Sequence, residues 1–71
     1  MNKFNTRKLL NSKWTAVNPV QKEKHFLITK LEFDEDGDVL HCLMEAVISN
    51  RAEPIDWKEL ENEDNWLQGW K

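Results

Sequence analysis

HFLITKLEFDEDGDVLHCLMEAVISN, residues 25–50, is the stretch whose pairing decides the fold. His25 to Glu35 and Asp38 to Asn50 flank Asp36-Gly37, a dipeptide that favours the two left-handed positions of a type I′ hairpin turn. A two-residue loop sets the register, with Glu35 facing Asp38. Phe33 then meets Leu40, Leu31 meets Cys42, Thr29 meets Met44, Leu27 meets Ala46 and His25 meets Ile48. This face is almost wholly apolar, and an offset of one residue destroys the match, so turn chemistry and hydrophobic pattern agree. The other face carries Phe26, Ile28, Lys30, Glu32 and Asp34 against Val39, His41, Leu43, Glu45 and Val47. It is polar near the turn and apolar at the open end. Apolar residues on both faces at one end predict a bend around Ile28 and Leu43, and a curled barrel rather than a flat meander.

Outward from the hairpin, Trp14-Thr15-Ala16-Val17 reads as a first strand stopped by Asn18-Pro19, with Gln21 to Lys24 as a polar connection. Ala52 to Trp57 reads as a short edge strand, because Pro54 cannot donate to a central ladder. Asp56 is an N-cap for a helical turn that carries Trp57 and Leu60 on one side. A second helical turn is expected over Asp64 to Gln68, with Gly69 as its left-handed stop. The expected fold is mainly β: a small, SH3-like antiparallel barrel of four or five strands with short C-terminal helical turns. Residues 1–12 are read as a basic N-terminal arm, anchored by Phe4, Leu9 or Leu10, and residues 13–71 as a single domain.

Seventy-one residues leave room for one hydrophobic core. The lone Cys42 rules out an internal disulfide, no zinc-type Cys/His spacing occurs, and the polar N-terminus offers no signal peptide, so a cytoplasmic location is expected. No apolar run is long enough to span a membrane. The net charge of −3 conceals a split: residues 1–30 carry +6 and residues 31–71 carry −9. Such a split suits either a basic arm for an acidic partner or two halves that neutralise each other on folding, and the second is favoured in so small a chain.

Lys8 to Val17 (KLLNSKWTAV), Lys24 to Lys30 (KHFLITK), Ile55 to Leu60 (IDWKEL) and Trp66 to Trp70 (WLQGW) set tryptophans in distinctive contexts. Together these stretches resemble a family of small tryptophan-rich bacterial proteins of unknown function. The resemblance implies one domain of about 70 residues in the bacterial cytoplasm, and it brings no activity, cofactor or catalytic residue with it.

Four tryptophans in 71 residues call for a reason. Burying one removes about 200 Å² from water, and several such contributions decide whether a small domain folds. Trp14 and Trp57 are read as core. Trp66 and Trp70, near the C-terminus, either cap the barrel or stand exposed as a binding platform. The candidate binding surface is an apolar groove lined by some of Trp57, Trp66 and Trp70, receiving a protein segment or a second copy of the chain. The alternative is a nucleic-acid surface in which Arg7, Lys8 and Lys13 supply phosphate-pairing charge beside a stacking Trp14. An acidic pI of about 5.3 counts against it.

Other constellations dissolve on inspection. Asp34-Glu35-Asp36-Gly37-Asp38 lacks the glycine a calcium loop needs at its sixth position, where Val39 stands. His41 and Cys42 are strand neighbours and point to opposite faces, so no metal is expected; Cys42 is read as a core residue and His41 as the partner of Glu32. With glycine only at positions 37 and 69 there is no phosphate loop, and no serine triad occurs, so neither an enzyme nor a cofactor is expected.

Overall fold

The computed structural model describes residues 2–71. Its five strands are β1 (Lys13–Val20), β2 (Glu23–Phe33), β3 (Val39–Ala46), β4 (Ala52–Pro54) and β5 (Trp66–Gln68). They form one antiparallel sheet in the order β4-β3-β2-β1-β5. Short 3-10 turns cover Thr6–Lys8 and Trp57–Glu61. The chain is thus mainly β with little helix, as expected. The sheet is open, with β4 and β5 as its two edges, rather than closed into the expected barrel.

Both hairpins depart from the simplest reading. The type I′ geometry lies not at Asp36-Gly37 but at Gln21-Lys22, whose φ angles of 54° and 65° join β1 to β2, with Val20 paired to Glu23. Between β2 and β3 the amide of Gly37 donates to the carbonyl of Asp34, Asp34 and Asp38 flank the loop, and only Gly37 is left-handed, at φ 85°. The cause is Asp34, whose Oδ1 accepts from the amides of Asp36 and Asp38 and so imposes a longer turn than the dipeptide alone would make. Nothing lies within 4 Å of a Cβ built at Gly37, so the cost of Gly37→Ala is purely conformational. It should remove about 1 kcal/mol and lower the melting temperature by roughly 4–8 °C, whereas Gly37→Asn should cost much less. A thermal melt that does not separate the two variants would contradict this.

The β2–β3 register holds as expected for Lys30↔Leu43, Leu31↔Cys42 and Glu32↔His41. A bulge between Ile28 and Lys30 then shifts it by one residue, giving Ile28↔Met44, Leu27↔Glu45 and Phe26↔Ala46. The bulge takes polar Thr29 out of the ladder and puts Phe26 and Ile28 on the core face, beside the bend the sequence predicts. Ile28 is fully buried, and Phe26, Cys42, Met44 and Ala46 join it. The expected core pairs are corrected accordingly: Leu27 turns to the opposite face, while Leu40 (67 % exposed) and Phe33 lie in solvent near the turn.

The C-terminal segment also differs. Trp66–Gln68 is a strand against Ala16, Thr15 and Trp14, not a helical turn, and Gly69 (φ 80°) ends a strand rather than a helix. β1 runs on through Asn18-Pro19, which falls where its pairing to β2 is irregular and beyond the part paired to β5, so the missing proline amide leaves no ladder bond unmade.

The N-terminal segment crosses the core face. Of the arm, Met1 lies outside the described residues. Phe4 packs edge-on between Trp14 (5.4 Å) and Trp57 (6.1 Å), Leu9 is buried, and Leu10 is exposed. Asn2 donates from its backbone amide to the Glu61 carbonyl and from Nδ2 to the carbonyls of Leu60 and Trp66. No helix among the described residues is long and apolar enough to cross a membrane.

Candidate functional site

Strand alternation distributes the aromatic side chains over two faces. Trp14 pairs with Phe26, and Ala16 pairs with Trp66, so all four belong to the core face. Trp66 meets Phe26 edge-on at 5.2 Å. Thr15 and His25 pair on the opposite face, where the C-terminal residues fold across them. There Thr15 Oγ1 donates to the Gly69 carbonyl and accepts from the Lys71 amide. Trp70 donates from Nε1 to the Phe26 carbonyl, its ring lies 5.8 Å from that of His25, and Lys13 Nζ sits 4.8 Å above it.

The three tryptophans of the expected binding surface therefore do not converge. Trp57 packs beside Phe4, Trp66 lines a groove on the core face, and Trp70, 43 % exposed, lies on the other side of the sheet. The four residues of the nucleic-acid reading do not converge either. Trp14 is 2 % exposed and donates from Nε1 to Ser12 Oγ, so its ring offers no face to a base. Lys13, its strand neighbour, points the other way and covers Trp70, and Arg7 and Lys8 sit in the first 3-10 turn.

What the structure does assemble is a groove of about 430 Å³ on the core face, between β4 with the segment after it and the far ends of β1 and β5. Ala16, Phe26, Met44, Pro54, Ile55 and Trp66 give it apolar walls. Around them stand four carboxylates, Glu23, Glu53, Asp56 and Glu59, and a single cation, Arg51.

Glu23 anchors this rim. Its side chain is only 6 % exposed. Its Oε2 accepts from Ser49 Oγ at 2.5 Å and from Arg51 Nε at 3.2 Å, while Oε1 accepts from Arg51 Nη2. Arg51 also reaches Glu53 from Nη1 at 2.7 Å. The hydrogen bonds from Arg51 and then Ser49 hold the Glu23 carboxyl below the usual glutamate range, against the opposing effect of its enclosure. On the hairpin, Lys30 Nζ at 3.0 Å is the main cause of the lowered Glu32 carboxyl, with His41 a lesser one. Burial pushes the Cys42 thiol up, as suits a core cysteine.

Sequence reasoning does not find the Glu23–Ser49–Arg51 cluster, although one signal was present. Glu23 is the only carboxylate in the basic first 30 residues, and Arg51 is one of three cations in the acidic remainder. Phe26 and Met44 are missed as groove residues because their common face depends on the bulge.

Residues 12–71 match the family model described as Tryptophan-rich protein (DUF2389). The chain belongs to this family. The match takes in every strand of the DUF2389 sheet and all the groove residues, and it leaves outside it the segment that carries Phe4 and Leu9. No curated protein and no solved structure matches the chain.

Proposed function

We propose that this DUF2389 chain is a non-enzymatic cytoplasmic interaction module that receives a segment of a partner protein in the groove beside Trp66. The observation that carries this reading is the groove itself: a concavity of about 430 Å³ with six apolar or aromatic walls and a polar rim, the anatomy of a binding site. The titratable groups around it support binding over catalysis. Glu23 is held ionised by Arg51 and Ser49, which suits a fixed rim charge rather than a proton-exchanging group, and Asp56 is engaged in capping the Trp57–Glu61 turn through the Lys58 amide.

The test is affinity capture from the native cytoplasm, identification of the captured protein, and titration of that purified protein against wild type, Ala16→Trp and Glu59→Arg. Ala16→Trp fills the groove; Glu59→Arg changes its rim at an exposed position that leaves the core intact. Both should weaken binding at least tenfold or so while the thermal melt of Glu59→Arg stays close to wild type. A partner that binds both variants as tightly as wild type places the interaction elsewhere and ends this reading.

A further inference from the structure

The occupant's chemistry follows from the rim, and this step rests on the reading above. Among the residues lining the groove, four are acidic and one is basic. Arg51 is already shared between Glu23 and Glu53, so it offers no free charge to an incoming anion. Asp56 and Glu59 lie exposed on the groove side of the Trp57–Glu61 turn, and Asp56 spends one oxygen on the Lys58 amide. An acidic segment meets uncompensated like charge there, and an uncharged one leaves the rim unused. We infer that the groove selects an extended protein segment in which an aliphatic side chain, seated against Phe26, Met44, Ile55 and Trp66, is flanked by lysine or arginine side chains that pair with Asp56 and Glu59. A nucleic-acid strand meets the same carboxylates and is rejected. Because the paired charges lie at the surface, the preference weakens with salt.

Three acetylated octapeptides test this against the full chain: one alternating leucine with lysine, one alternating leucine with glutamate, and one alternating serine with lysine. Binding is read by amide chemical shifts and tryptophan fluorescence. The leucine–lysine peptide should perturb Ala16, Met44, Ile55 and Trp66, and should bind roughly tenfold more tightly than either of the others at low salt. Asp56→Asn, which keeps the cap, combined with Glu59→Gln should reduce that preference to about threefold or less. Equal groove binding by the leucine–lysine and leucine–glutamate peptides overturns the inference and leaves the interaction reading standing. If no peptide perturbs the groove, the inference fails together with that reading. If the same groove residues instead shift with protein concentration and sedimentation shows a dimer, the occupant is a second copy and the inference is overturned.

Discussion

Trp14→Ala is expected to lower the melting temperature by about 15–30 °C, removing a large share of the chain's stability. The indole is 2 % exposed, stands opposite Phe26 in the β1–β2 pair, meets Phe4 at 5.4 Å and donates to Ser12 Oγ at 2.8 Å. Truncating a buried tryptophan removes about 3–5 kcal/mol, through lost burial and the cavity left behind. A domain of this length has roughly 4–11 kcal/mol in all. The loss is amplified because Phe4 uses the same ring as one wall, so the N-terminal segment loses its seat as well. Trp14→Phe keeps an aromatic surface and should recover about half of the loss. The check is a circular-dichroism melt of the two variants beside wild type. A shift of only a few degrees in Trp14→Ala would mean that the aromatic cluster does not hold this sheet together.

The second large effect concerns Glu23 and Arg51. The folded Glu23 carboxyl titrates below the value near 4.5 of an ordinary glutamate. Its ionised form therefore stabilises the fold fully above that ordinary value, and the contribution is lost as pH falls through the lower, folded value. Arg51→Met removes the largest cause of the depression and leaves Ser49's hydrogen bond working against the enclosure of the carboxylate. Two results are expected. The variant is markedly less stable than wild type at neutral pH, because a charge in an enclosed site has lost the cation paired with it. Its remaining loss of stability between about pH 6 and about pH 3 is smaller than that of wild type, with Glu32 still contributing through Lys30. Urea titrations across this range measure both. Parallel stability–pH curves for the two proteins would show that the Glu23–Arg51 contact contributes nothing to acid sensitivity.

The first four strands, the β2–β3 antiparallel hairpin, the 3-10 turn capped by Asp56 and the edge position of β4 were legible because each follows from local composition. The details that set the groove were not, since they depend on competition between distant parts. Asn-Gly or Asp-Gly is the usual mark of a type I′ turn, yet that geometry falls on Gln21-Lys22, where β-ladder contacts override propensity, while the Asp34 side chain diverts Asp36-Gly37 into a longer loop. A bulge of one residue at Thr29 exchanges Leu27 for Phe26 and Ile28 in the core, and no pattern of period two contains such an interruption. The segment Trp66–Gln68 becomes a strand only because β1 offers it a free edge. Trp14 as core was readable from alternation in β1, and the same alternation separates it from Lys13 and from the nucleic-acid surface proposed for the pair.

The contacts of Asn2 carry a consequence for biosynthesis. Its side-chain amide is held by the carbonyls of Leu60 and Trp66, 58 and 64 positions further along the chain, and β1 is flanked on one side by the last strand to be made. Asn2 thus waits for residues 60–66 to be made before it reaches its final place. Such distant pairing slows closure of the fold. Until then Phe4, Leu9 and Trp14 lack the cover that this closure gives them.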